Sequence, residues 1–370
     1  MSAAMPRRVV VAMSGGVDSS VAAARLVDQG FFVVGVTLHL WDYAEGSADD
    51  HGRCCAPEDR YDAQRVADAL GFPHYTFDRR DLFVREVVGP FVEAYVNGQT
   101  PSPCTLCNRS VKLAELFRLA DALGADKVAT GHYARVVRDN GRPRLAAGAD
   151  AAKDQSYFLY ASPVEWLDRL VFPLGDSTKQ DVRAEARARG LAGANKGESQ
   201  ELCFIGTKPH AYSQFVEDHA TGRIRPGPIV DDNGTVVGEH QGIHRFTVGQ
   251  RRGLQVASQG RRLFVTRIDS ATASVHLGPG DALNGTSAEV IDLCLAAGVS
   301  LPLRARVRVR YRHEGDLATV VGSPRGARVM FDNPVRAVTS GQTAVFYDGD
   351  RVLGGGTIAA GPAMSTAASC

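Results

Sequence analysis

No stretch of this 370-residue chain approaches the roughly 18–20 consecutive apolar residues of a membrane span. No apolar signal core separates Met1–Arg8 from the strand-like run that follows, so a cytoplasmic protein with no membrane partner is expected. Net charge is nearly absent: 42 Lys+Arg against 41 Asp+Glu leaves +1, which gives no hint of nucleic acid. With 44% hydrophobic residues and so little net charge, disorder is excluded. There is no internal repeat and no long low-complexity tract. Cysteine is sparse and odd in number, seven in all, which is not a disulfide framework and points to reduced thiols that are catalytic, metal-binding or buried.

What is present has the length of two to three domains. Over the first 130 residues strand and helix signals alternate. Val9–Met13, Phe31–Leu38, His74–Phe77 and Lys127–Thr130 read as strands. Val17–Gln29, Glu58–Leu70, Asp81–Val96 and Asn108–Leu123 read as helices. Continuous apolar strands separated by helices predict a doubly wound parallel α/β sheet covered on both faces. Tyr133–Leu145 then reads as a hairpin around Asn140-Gly141. Ser177 or Thr178 can cap a helix running to Arg189. From about Gly222 short strands and Gly/Pro/Asp turns dominate, predicting one or two small all-β modules. The expected organisation is a catalytic α/β domain over 1–210, a small central β-rich domain over 211–280, a C-terminal β-barrel over 281–360 and a flexible tail over 361–370.

The sharpest motif is Ser14-Gly15-Gly16-Val17-Asp18-Ser19-Ser20, between a strand and a helix. Two glycines allow close backbone approach, and a helix start adds free N–H groups and a positive dipole end. Hydroxyls can donate to phosphate oxygens, while Asp18 would meet phosphate through Mg²⁺. It is neither Gly-x-x-x-x-Gly-Lys nor Gly-x-Gly-x-x-Gly, so neither a Walker loop nor a dinucleotide fold is indicated. The segment resembles the PP-loop of ATP pyrophosphatases (adenine nucleotide alpha hydrolase-like enzymes), which split ATP between its α and β phosphates.

Two cysteine segments follow: Thr100-Pro101-Ser102-Pro103-Cys104-Thr105-Leu106-Cys107-Asn108-Arg109, and Glu198-Ser199-Gln200-Glu201-Leu202-Cys203-Phe204-Ile205-Gly206. Cys107 is expected just before a helix, with Asn108 as a possible cap and a lowered thiol pKa. With Ala129–Arg135, Lys153–Phe158, Gly249–Leu254 and Ser340–Tyr347, in this order from about residue 8 to 358, these segments are similar to the bacterial tRNA-specific 2-thiouridylase family.

The resemblance implies a tRNA-uridine 2-sulfurtransferase. ATP with Mg²⁺ would adenylate O2 of the wobble uridine, position 34, in a tRNA anticodon loop. A persulfide on Cys203 would attack C2, and Cys107 would help release sulfur, leaving a Cys107–Cys203 disulfide. A cysteine desulfurase or sulfur-relay protein is the implied sulfur source. Residues Ala12, Met13, Ser14, Gly15, Gly16, Val17, Asp18, Ser19, Leu38 and Gly131 would surround ATP. Ser102, Pro103 and Cys104 would line the uridine pocket, with His132 near the target base. Lys153, Asp154, Gln155, Arg310, Tyr311 and Gln342 would contact tRNA.

The family often carries Asp where this chain has Cys104, and a thiol of ordinary pKa cannot take over an Asp role. The change creates Cys104-x-x-Cys107. With Cys203 it offers three thiolates, which opens a second route through a [4Fe–4S] cluster, and zinc is a third possibility. Cys54 and Cys55 fit a ligand pair or loop packing, Cys294 fits the core, and Cys370 is terminal.

Leu303–Arg312 places arginine at 304, 306, 308, 310 and 312, a spacing that predicts one face of one strand. From Ala296 to Cys370 nine Arg face five Asp or Glu, so this segment is +4 and the rest of the chain −3. The near-zero total therefore hides a segregated basic excess suited to phosphates. Two other readings stay open: another PP-loop adenylating ligase or amidotransferase, and a nucleotide-dependent RNA-binding protein without chemistry.

Overall fold

The computed structural model describes residues 7–42, 57–194, 196, 202–205, 211–254, 256 and 262–360. Cys54, Cys55 and Cys370 lie outside them. The chain divides into two compact units. The first runs through residue 88, resumes over 104–207 and takes in 350–352; the second holds 89–103, 208–349 and 353 onward.

In the first unit, β1 (Arg8–Ala12), β2 (Phe32–His39), β3 (His74–Asp78), β4 (Lys127–Ala129) and β7 (Leu170–Val171) form one parallel sheet in the order β3-β2-β1-β4-β7. Strand order reverses between β1 and β4, and such a switch point opens a crevice at the carboxyl ends of the strands. Helix α1 (Val17–Asp28) forms because Ala22, Ala23 and Ala24 favour helix and, with Val21 and Leu26, bury completely against the sheet. A fully buried Leu26 contributes about 1.5–3 kcal/mol. Helix α2 (Pro57–Leu70) adds Ala63, Val66 and Ala67 to the same core. The hairpin β5 (Ala134–Asp139) and β6 (Arg142–Ala147) turns at Asn140-Gly141, both at positive φ, as a two-residue turn of this kind requires. Residues 350–352 lie beside it: Arg351 pairs with Ala146, and Asp350 accepts from the Arg135 guanidinium at 2.6 Å and from Ala147 through its carbonyl at 2.8 Å.

Two helices depart from the sequence expectation. The Asp81–Val96 segment runs Arg80–Phe83, then a π-helix over Val84–Val88, then Gly89–Val96. Pro90 lacks an N–H, and the wider turn before it accommodates the missing bond. The cysteine helix starts at Pro103 rather than Asn108, becomes a π-helix over Cys107–Leu113 and continues over Ala114–Ala122. Proline is favoured at a first helical position because no N–H is needed there. Cys104 therefore occupies the first turn and Cys107 the second.

The second unit contains two β modules. In one, β8 (Gly227–Val230), β9 (Val236–His240), β10 (Phe264–Asp269) and β11 (Ser274–Gly278) pair in the order β10-β11-β8-β9 over Ile229, Val265, Val275 and Leu277. In the other, β12 (Asn284–Leu295), β13 (Leu303–Arg308), β14 (Asp316–Ser323), β15 (Gly326–Arg336), β16 (Thr343–Asp348) and β17 (Arg351–Ile358) run β12-β15-β14-β13-β16-β17, and a β12–β17 pairing closes the barrel. Ala305, Val307, Val320, Val329 and Phe346 fill its interior. Cys294 is half-buried on β12 beside a register shift, not in the core as expected. A helix the sequence pattern did not reveal, Ala211–His219, packs Tyr212 and Phe215 on Phe91.

Candidate active site

The phosphate loop lies at the switch point. Gly15 has φ +72°, and a Cβ there would sit 2.0 Å from the Asp59 carbonyl oxygen, so only glycine fits. Ser19 Oγ accepts from the Ser14 N–H at 3.2 Å and donates to the Gly16 carbonyl at 3.0 Å, while Ser20 Oγ donates to the same carbonyl at 3.0 Å. Gly16 is extended at the start of α1, and among the described residues no side chain caps the helix. The first-turn amides of α1 are thereby left for a ligand, which a positive dipole end makes favourable for an anion. Gly131, after β4, packs on the backbone of Asp18 and Ser19; a Cβ there would lie 2.9 Å from both. Ala12–Ser19 and Gly131 are thus in one place. Leu38, near the end of β2, is half-buried.

Asp18 is held from two sides. Lys179 Nζ donates to its carboxylate oxygens at 2.7 and 2.8 Å, and the Tyr133 hydroxyl donates at 2.8 Å. The Lys179 ammonium also lies 5.8 Å from the Tyr133 ring centroid. Lys179 opens the helix Lys179–Ala188, whose Thr178 cap and Asp181 form a reciprocal capping box. The sequence reading missed Lys179: 161 residues from Asp18, it reads as an ordinary first-turn lysine. One carboxylate with phosphate oxygens and water suits Mg²⁺. Asp18 fits that role provided Lys179 yields an oxygen.

Gln155 bridges outward from this network. Its side-chain oxygen accepts from the Tyr133 N–H and its N–H donates to the Tyr133 carbonyl, both at 2.9 Å. Asp154, expected at the RNA, is instead buried and accepts from the Gly148 N–H (3.2 Å), the Ser156 N–H (3.0 Å) and the Ser156 hydroxyl (3.0 Å). Lys153 is half-buried in the same turn. His132 Nδ1 lies 2.8 Å from Thr130 Oγ1. Burial, then the Lys112 ammonium, pushes the imidazole down to about 3, so the ring is neutral near pH 7 although the residue as a whole is half-buried.

Cys104 is half-buried and Cys107 buried. Cys104, not Cys107, stands in the first turn, because the helix begins at Pro103. Asn108 is no cap: it is buried, its amide donates to the Phe158 carbonyl at 3.3 Å, and its Oδ1 has no hydrogen-bond partner among the described residues. Cys203 precedes Phe204, whose ring packs edge-on against Phe83 (5.5 Å) and Trp41 (6.2 Å), anchoring that turn on the first unit. Among the described residues no set of three His, Cys, Asp or Glu side chains is arranged to hold a metal ion.

The second unit carries the remaining expected contacts. The arginine row is shorter than its sequence spacing suggests. Strand β13 ends at Arg308, so Arg304 and Arg306 point outward while Arg310 and Arg312 belong to the turn that follows. Arg304 is also neutralised by Asp332, at 2.6 and 2.8 Å. Gln342 Nε2 donates to the carbonyls of Thr100 (2.9 Å) and Pro101 (3.3 Å), just before the half-buried Ser102 and the buried Pro103.

Comparison with known proteins agrees with this architecture. Residues 7–207 match the tRNA methyl transferase HUP domain family, 213–279 the tRNA methyl transferase PRC-barrel domain, and 287–358 the aminomethyltransferase beta-barrel domain. The chain is 60% identical to the tRNA-specific 2-thiouridylase of Sorangium cellulosum, over 95% of this chain and 92% of that one. It is 46% identical to that of Heliobacterium modesticaldum, over 96% and 93%. Likeness of that degree, spanning nearly the full length of both chains, makes this protein a member of the tRNA-specific 2-thiouridylase family.

Proposed function

We propose that this chain is a cytoplasmic ATP-dependent tRNA-uridine 2-sulfurtransferase acting on the wobble uridine of an anticodon loop. The observation that carries the reading is the occurrence, in one folded unit, of an uncapped phosphate loop and the two cysteines Cys107 and Cys203. A carbonyl oxygen is a poor leaving group, so adenylation of O2 comes first, expelling pyrophosphate. The α1 amides, Ser14 and Lys179 hold the polyphosphate. Mg²⁺, taken by Asp18, would neutralise phosphate charge. The terminal sulfur of a Cys203 persulfide then attacks C2, the C2–O bond breaks and AMP leaves with the oxygen. Cys107 thiolate attacks Cys203 Sγ and breaks the S–S bond. Sulfur stays on C2, and a Cys107–Cys203 disulfide remains for an external dithiol to reduce. A cysteine desulfurase or relay protein renews the persulfide. A base in a single-stranded loop is the least costly to present.

The test is tRNA thiolation with ATP and a desulfurase, with AMP and pyrophosphate followed with and without tRNA. Cys203→Ala and Cys107→Ala are each expected to lose thiolation while keeping ATP affinity. Full reaction by Cys203→Ala would favour an adenylating ligase, and ATP binding without AMP release would favour an RNA-binding protein. Iron bound after anaerobic purification, with activity that follows it, would replace the persulfide route.

A further inference from the structure

Beyond the end of β13 the chain makes a closely tied turn. The Val309 N–H donates to His313 Nδ1 at 3.3 Å, and the His313 N–H donates to the Arg310 carbonyl at 3.1 Å. The Arg308 guanidinium donates to the Tyr311 carbonyl, Arg306 to the Gly315 carbonyl at 2.8 Å, and Arg310 to the Arg336 carbonyl at 3.0 Å. On its other edge the His313 ring meets Asp316, Nε2 to Oδ2 at 3.1 Å. Because Nδ1 accepts a backbone N–H, it carries no proton. Nε2 then carries one and donates to Asp316, which selects a single neutral tautomer. Burial and the charges of Arg310 and Arg308 favour that neutral ring, against the opposing pull of Asp316. The His313 side chain is only 14% exposed, whereas Arg310 and Tyr311 are half-exposed and Arg312 is exposed. His313 thus braces the turn from inside and offers little surface to a ligand.

We propose that His313 is a positioning residue for RNA: its neutral ring fixes the turn that presents Arg310 and Tyr311 to a phosphate backbone. The inference rests on the reading above that these two residues contact tRNA. An arginine held in one place by its neighbours loses less conformational freedom on meeting a phosphate than one on a loose loop. His313→Ala removes the acceptor for Val309 and the donor to Asp316 together. His313→Asn keeps an acceptor close to the position of Nδ1.

The experiment measures tRNA affinity of the full chain over a salt series for His313→Ala, His313→Asn, Arg310→Ala and the Ala/Ala double variant, with ATP affinity measured alongside. His313→Ala is expected to weaken tRNA binding about five- to tenfold and to lower the log–log salt slope by about one, the loss of one phosphate contact. ATP affinity stays unchanged, and His313→Asn stays within about twofold of the parent. The double variant loses less than the sum of the two single losses, because the effect of His313 passes through the turn that holds that arginine. Should His313→Ala fail to fold, Asp316→Ala, which frees the ring from its other edge, carries the same cycle. An unchanged slope in His313→Ala, additive losses in the double variant, or an Asn variant no better than Ala would each overturn the inference while Arg310→Ala still weakens binding. If Arg310→Ala itself changes neither affinity nor slope, the RNA reading of the turn falls and this inference falls with it.

Discussion

At the scale of single residues, the chemistry divides into what is written locally and what is assembled from afar. Ser14 to Ser19 are legible because a glycine pair between strand and helix has few other uses. Asp18 is legible only by half. Its carboxylate is visible in the sequence, but the Lys179 that neutralises it is brought in by the fold. Removing that ammonium leaves a carboxylate facing the phosphates it should tolerate. Lys179→Ala is therefore expected to weaken ATP binding on the order of tenfold, about 1.4 kcal/mol, in a titration without tRNA. Affinity equal to the parent would show that Asp18 is neutralised by other means. Cys107 teaches the opposite lesson. Its helix was visible, but Pro103 starts that helix one turn early, so Cys104 rather than Cys107 stands at its start. No local signal distinguishes a proline that precedes a helix from one that begins it.

Among the elements, the parallel strands were the most legible because runs such as Val9-Val10-Val11 are buried on both faces and tolerate no polar residue. The helix bearing Lys179 was readable from its cap. Thr178 accepts from the Asp181 N–H at 3.2 Å, and Asp181 reaches back to the Thr178 N–H. Thr178→Ala is expected to cost about 1 kcal/mol in urea unfolding. It should also loosen the first turn that aims Lys179, so ATP affinity falls with it. A stability loss without any change in ATP affinity would separate the cap from the site. The π-helices over Val84–Val88 and Cys107–Leu113 were not legible. They arise where a helix must admit an extra residue per turn, and periodicity over five to seven residues cannot reveal this. The arginine row was readable only over β13: alternation gives the side of a strand but not where the strand stops.

For the whole molecule, a balanced total charge concealed an uneven distribution, and only counting by segment exposed the basic C-terminal part. The boundaries between units were harder to read, because each unit is built from separated stretches of chain. A strap that belongs to the second unit interrupts the first at residues 89–103, and the first unit is completed by residues 350–352. A chain ending at 207 is accordingly expected to leave the β5–β6 hairpin without Asp350 and Arg351. It should be cleaved there by protease faster than the full-length protein, and equal resistance would show that the hairpin is self-sufficient. The same three residues set an order in time. On the ribosome the β5–β6 hairpin is made about two hundred residues before the segment 350–352 that pairs with it. Its final closure must wait for that intervening chain, a delay that long-range contacts impose on any folding chain.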